Sequence, residues 1–194
     1  MNIPSGIYED FFQTLTRPME ISSIAERILG MGLFILLTAL GAFVRLYLPF
    51  TPVPITLQTL FVLLAGAFLG SAWGAGAMGL YLLIGICGLP VFAGATHGLF
   101  YILGPTGGYL IGFVVAAWIT GSMIGSKSNP SWYRIFFALT FAAMSIYVLG
   151  ISQLMLWGKC NLTQGLIMGF FPFLPGAIIK IFLAATILKG FKRG

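Results

Sequence analysis

Beyond Glu26 the chain contains no Asp and no Glu, and between Leu46 and Ser126 it has no Lys, Arg, Asp or Glu at all. Charged residues make up 7% of its 194 residues, where soluble domains carry about 25%. These absences remove most catalytic options. Hydrolysis inside a membrane needs an acid/base pair, a nucleophile with its base, or a metal held by His and carboxylates. One histidine, His97, and no carboxylate in the apolar part leave nothing to build such a set from. Proton-coupled carriers use relays of Asp, Glu or His within the bilayer, and these are missing too. No GxxxxGK[ST] occurs, so a Walker-type ATP site is excluded. Cys87 and Cys160 form neither a CxxC nor a metal-ligand spacing and read as a small core residue and an incidental thiol. The net charge of +6 comes without a dense basic cluster interleaved with aromatics, which excludes a nucleic-acid face. No catalytic residue, metal or cofactor is expected.

What is present is apolar. Hydrophobic residues make up 59% of the chain, and they arrive in runs close to the roughly 18 or more that a bilayer core requires. The expected fold class is an all-α integral membrane protein. Its six transmembrane helices are expected over residues 28–48, 55–69, 72–88, 109–125, 132–157 and 173–189. Only Gly70 and Ser71 separate the second and third, predicting a tight helical hairpin. Residues 1–26 hold all four acids (Glu9, Asp10, Glu20 and Glu26) and lack the pattern of a cleavable signal peptide. They read as a cytosolic or interfacial segment with a small apolar face at Phe11, Phe12 and Leu15, preceding a membrane domain over 27–194. With both termini inside, the cytosolic side collects Arg17, Arg27, Lys127, Arg134, Lys189, Lys192 and Arg193, against Arg45 and Lys159 outside. That asymmetry sets the expected orientation. Small residues at helical spacing (Gly66, Gly70 and Gly74; Gly108 and Gly112; Thr38 and Ala42) mark close helix approach. The Thr38–Ala42 row fits either packing inside the bundle or docking of another membrane subunit.

Proline and glycine concentrate in three segments on the expected outer side: 49–59 (PFTPVPITLQT), 88–94 together with 104–109, and 171–176 (FPFLPG). Irregular backbone at membrane depth is tolerated where it is buried in protein or lines a cavity. Their convergence predicts an outward-facing ligand pocket. The candidate contacts are Arg45, Thr51, Gln58, Tyr81, Tyr109 and Lys180. Arg45, expected near the outer end of the first helix, has a fork suited to a carboxylate. The Gln58 amide offers both a donor and an acceptor. Lys180, inside the sixth helix, is a cation where cations are costly. Phe50, Phe92, Tyr101 and Trp157 are further aromatics able to wall an apolar ligand, and His97 reads as a solvated loop residue.

Four stretches carry a family resemblance: PFTPVPITLQT at 49–59, YLLIGICGLPVFAG at 81–94, GPTGGYLIGF at 104–113, and PFLPG followed by Lys180. Over roughly residues 30–190 the chain resembles BioY, the biotin-binding S-component of energy-coupling factor transporters. The resemblance implies a six-helix S-component of the cytoplasmic membrane that binds biotin with high affinity from outside. It further implies a T-component and two ATPase subunits as the energising module, with a shared module, or none of its own, and homo-oligomers also open. Biotin suits the residues read above: its ureido group is expected at Gln58 and Lys180, and its carboxylate at Arg45. One departure stands out: the family commonly has an acid three residues before the lysine, and here that position is Ala177. Ala177 keeps open a different small vitamin or a biotin precursor as ligand; a passive channel is the alternative from another class.

Overall fold

The structure, a computed structural model, describes residues 23–125 and 129–191. The expected apolar face at Phe11, Phe12 and Leu15 lies outside the described residues, as do Arg17, Lys127, Lys192 and Arg193. Eight α-helices are present among the described residues: α1 (Ile24–Phe43), α2 (Gln58–Leu69), α3 (Ser71–Ile86), α4 (Leu99–Leu103), α5 (Gly107–Thr120), α6 (Trp132–Gly158), α7 (Leu162–Gly169) and α8 (Leu174–Phe191). A π-turn (Gly121–Gly125) extends α5, and a 3₁₀ turn (Phe171–Phe173) leads into α8.

Four helical stretches are long and apolar enough to cross a membrane: Ile24–Phe43, Gly107–Gly125, Trp132–Gly158 and Leu162–Phe191. The helices expected over 55–69 and 72–88 are present as α2 and α3, but at 12 and 16 residues they are short. At 1.5 Å per residue α2 covers about 18 Å, less than a bilayer core of about 30 Å. Beyond Gln58 and Thr59 it is apolar, and no α2 residue is exposed. Helices α1, α3, α5 and α8 surround it.

On α1 the distribution of side chains is unlike that of a soluble helix. Apart from Phe34, the helix turns Thr38, Ala39, Gly41 and Ala42 inward and leaves Leu29, Leu33, Leu36, Leu40 and Phe43 exposed. Lipid solvates large aliphatic side chains as well as a protein core does, so helix association rests on close backbone packing between small residues. A Cβ on Gly66 would strike the Ala117 carbonyl of α5, and one on Gly74 would lie 2.7 Å from the Gly66 Cα. On the other side of α5, a Cβ on Gly112 would lie 2.7 Å from the Ile146 Cα of α6, and one on Gly108 would strike the Leu149 carbonyl. The Thr38–Ala42 row is fully buried, with Thr38 Oγ1 3.9 Å from Met78 Sδ. It packs within the bundle.

Three sequence expectations need correction. The first helix ends at Phe43, not residue 48, because Arg45–Leu46 (β1) pairs antiparallel with Ile55–Thr56 (β2). The Leu57 N–H then donates to the carbonyls of Gly41 and Val44, at 3.1 Å each, closing the end of α1. The fold is therefore helical with one two-residue ladder, not purely α. Two short helices also stand in stretches read as loops. Gln153 donates to the Ile102 and Gly104 carbonyls at the end of α4, and an Asn161–Gln164 capping box starts α7. Cys87 is exposed beyond the end of α3 and is not a core residue. The predicted α2–α3 hairpin is present, turning at Gly70 with φ +83°.

Gly66→Ala should destabilise the bundle by about 1–3 kcal/mol, the usual cost of overpacking. Gly79→Ala, where an added Cβ meets no atom within 4 Å, should leave the unfolding midpoint in detergent unchanged or slightly raised. Equal midpoints for the two variants would contradict the packing described.

Candidate ligand-binding site

The three irregular segments come together. Val53, Pro54 and Thr56 from the first, Ala93 and Thr106 from the second with Tyr101 of α4 between its two parts, and Phe173 from the third line one cavity. Gln58 and Thr59 of α2, Tyr109 and Phe113 of α5, Tyr147 of α6 and Lys180 of α8 complete its polar and aromatic lining. It holds about 520 Å³ of space, counting the mouth open to solvent.

One side is an aromatic box. The Tyr109 ring stacks on Phe173 with centroids 6.1 Å apart and meets Tyr147 edge-on at 6.5 Å. Tyr147 lies 6.3 Å from Phe173. Glycine at 150 leaves room for the Tyr109 ring, and the Tyr109 hydroxyl donates to the Gly169 carbonyl at 2.9 Å. The box is therefore braced from α6 and α7 and needs no ligand to hold its shape.

The polar side is organised around Gln58, which is 3% exposed. Its Nε2 donates to the Tyr81 hydroxyl at 2.6 Å, and that hydroxyl donates to the Val91 carbonyl at 2.8 Å. The Thr56 hydroxyl donates to Gln58 Oε1 at 3.0 Å. Tyrosine has one hydroxyl hydrogen. Since it goes to Val91, the Tyr81 oxygen must accept, and this sets which end of the Gln58 amide faces Tyr81. One amide hydrogen and one oxygen lone pair remain for a ligand. Lys180 Nζ donates to the Thr56 carbonyl at 2.7 Å and to Thr59 Oγ1 at 2.9 Å. It is the only charged side chain in the described lining.

Of the six sequence candidates, Gln58, Tyr109 and Lys180 face the cavity. Tyr81 is fully buried behind Gln58 and orients it. Thr51 is buried in the 49–54 turn, where its hydroxyl accepts from the Val53 N–H at 3.2 Å. Arg45 lies in β1 rather than in a helix and is exposed, with its guanidinium 5.3 Å from the Tyr47 ring centroid. It does not line the cavity. Tyr101 does, backed by Phe92 at 5.2 Å; Phe50 and Trp157 are exposed, as is His97. Sequence reasoning missed Thr59, Tyr147 and Phe173. A tyrosine inside an apolar helix was an available signal for Tyr147. Thr59 became meaningful only once Lys180 reached it. Among the described residues, no three of His, Cys, Asp and Glu stand together as a metal site.

A family model described as the BioY family matches residues 14–194. The chain belongs to the BioY family. It is a transporter family, and the chain is not an enzyme. A biotin transporter BioY of Thermotoga maritima is 36% identical over 169 residues, spanning 87% of this chain and 96% of that one. One of Rhodobacter capsulatus is 37% identical, spanning 81% and 88%. Among solved structures, the S-component for biotin from an ECF-type ABC transporter aligns with a TM-score of 0.80 at 25% identity, covering 88% of this chain and 92% of that one. FolT bound with folic acid aligns at 0.59 and 17% identity, covering 86% and 91%, a likeness of fold alone. The BioY match extends over the α1–α8 bundle and hence over every element that lines the cavity.

Tyr81→Phe should leave the Val91 carbonyl and one Gln58 N–H without partners. The expected loss is about 1–3 kcal/mol, as for buried polar groups left unsatisfied, read as a lowered unfolding midpoint in detergent. An unshifted midpoint would remove Tyr81 from its orienting role.

Proposed function

We propose that this chain binds biotin and mediates its uptake across the cytoplasmic membrane as the S-component of an energy-coupling factor transporter. The observation that carries the reading is the convergence of all three Pro/Gly-rich segments on one part-aromatic, part-polar cavity, in a chain of the BioY family. The Tyr109–Tyr147–Phe173 box suits the apolar bicycle of biotin. The remaining donor and acceptor of Gln58 suit a ureido group, which presents N–H and C=O side by side. The carboxylate expected at Arg45 has no partner there within the lining.

The membrane domain consists of α1, α2, α3, α5, α6 and α8 as six spans, with α2 at its centre and α3 joined to it as a short hairpin. Both termini are cytosolic and the cavity opens outward, as the bias of basic residues supports. Residues 1–26 form the segment that precedes this domain. The chain carries no ATP-binding loop and no proton relay, so a T-component and two ATPase subunits supply the energy in trans. The Ala177 departure leaves biotin as the ligand, since the polar contacts of Gln58 are made without an acid.

Labelled biotin should bind the purified protein in lipid nanodiscs saturably and be displaced by unlabelled biotin. Gln58→Leu should weaken binding by roughly ten- to a hundredfold, as for loss of one to two buried polar contacts. No saturable binding to the unaltered protein would sink the biotin reading.

Orientation has its own check. In a Cys160→Ser background, Cys87 should react with a membrane-impermeant maleimide added to intact cells. Labelling only after permeabilisation would reverse the assignment of the cavity mouth.

A further inference from the structure

The Lys180 ammonium has a surplus of charge that nothing in the described structure offsets. Its two hydrogen-bond acceptors, the Thr56 carbonyl and the Thr59 hydroxyl, are both neutral. An ammonium has three N–H donors, so one remains for whatever enters the cavity. No Asp or Glu follows Glu26 in the chain. Glu26 itself sits in the first turn of α1, about 25 Å along that helix from its far end at Phe43 at 1.5 Å per residue, and no α1 residue lines the cavity. Glu9, Asp10 and Glu20 lie outside the described residues. Charge burial without a counter-ion is unfavourable, and an arriving anion relieves it.

The space around Lys180 supports the same conclusion. A smaller recess adjoins the main cavity and shares Thr59, Ile146, Tyr147 and Lys180 with it. Ala177 lines this recess, one helical turn before Lys180 on the same face of α8. A carboxylate at position 177 would stand next to the ammonium; the methyl group there leaves both the recess and the charge open. Of the other cations of this end of the bundle, Arg45 is turned onto Tyr47 and neither it nor Lys159 lines the cavity.

We infer that the cavity selects a monoanion, with the ligand's carboxylate as the counter-charge of Lys180. The specificity element is the pair formed by Lys180 and the uncharged position 177. This assignment rests on the biotin reading and refines it: the carboxylate end of the ligand is directed to α8, not to Arg45. Charged hydrogen bonds are worth more than neutral ones in a water-poor site, so an uncharged isostere should lose most of that contact.

The test compares biotin with biotin amide, the primary amide in place of the carboxylate, by equilibrium binding to the full-length protein in nanodiscs. The acid should bind about ten- to a hundredfold more tightly than the amide. In Lys180→Met that ratio should fall towards one, because the group that reads the charge is gone. In Ala177→Asp it should fall as well, because the protein then supplies its own counter-charge. In Arg45→Gln the ratio should persist. Acid and amide affinities within about threefold of each other in the unaltered protein would overturn the assignment while leaving the biotin reading intact, and this comparison needs no variant to fold. A ratio that survives Lys180→Met but collapses in Arg45→Gln would overturn it in favour of the exposed arginine. Absence of binding for both compounds would sink the biotin reading and the charge assignment with it.

Discussion

The close approach of glycine backbones to the central helix α2 is the constraint on which the rest of this structure depends. Gly66 meets the Ala117 carbonyl, and Gly74 lies against Gly66 across the hairpin. These contacts draw α3 and α5 onto a helix too short to cross a bilayer by length, and they leave no α2 residue exposed. A short central helix has its first residue within the bundle rather than at its rim. That is why Gln58 and Thr59, at the start of α2, can form part of a cavity covered by loops. Bulkier residues at the same positions would hold the neighbouring helices apart.

From that placement the site follows by hydrogen-bond arithmetic. The β1–β2 ladder turns the chain back after α1 and brings Thr56 beside Gln58. Tyr81 reaches from α3 to the Gln58 amide and on to the Val91 carbonyl, joining α2 to the loop before α4. Lys180 reaches from α8 to the same stretch, residues 56 and 59. Three helices and one covering loop thus meet at two successive residues of α2 and the threonine just before them. Low-dielectric surroundings make such a network strong when satisfied and costly when broken. Its single cation is satisfied only by neutral acceptors.

Much of the architecture was legible in the sequence, for identifiable reasons. The hairpin turn at Gly70 follows from two residues between apolar runs. The convergence of the Pro/Gly segments follows from alternating helix direction. The end of α1 was not legible: Val44, Arg45, Leu46, Tyr47 and Leu48 continue an apolar run, and only pairing with Ile55–Thr56 turns 45–46 into a strand. The short helix α4 was hidden for a similar reason, since its final carbonyls are held by Gln153, 49 and 51 residues away.

By itself, the sequence determined the membrane class and the loss of carboxylate chemistry, because composition needs no coordinates. It also marked Gln58, Tyr109 and Lys180, since polar groups in apolar helices stand out. Tertiary structure alone decided which residues face the cavity. In a soluble helix the apolar face marks the inside, but here lipid and core are equally apolar, and hydrophobic periodicity does not tell them apart. Phe173 therefore could not be separated from the exposed Phe50 and Trp157 by sequence. Arg45 and Tyr81 looked like ligand contacts until the fold put one outside the lining and the other behind Gln58. The deciding interactions join residues far apart in the chain, and only the folded backbone brings them within hydrogen-bond range.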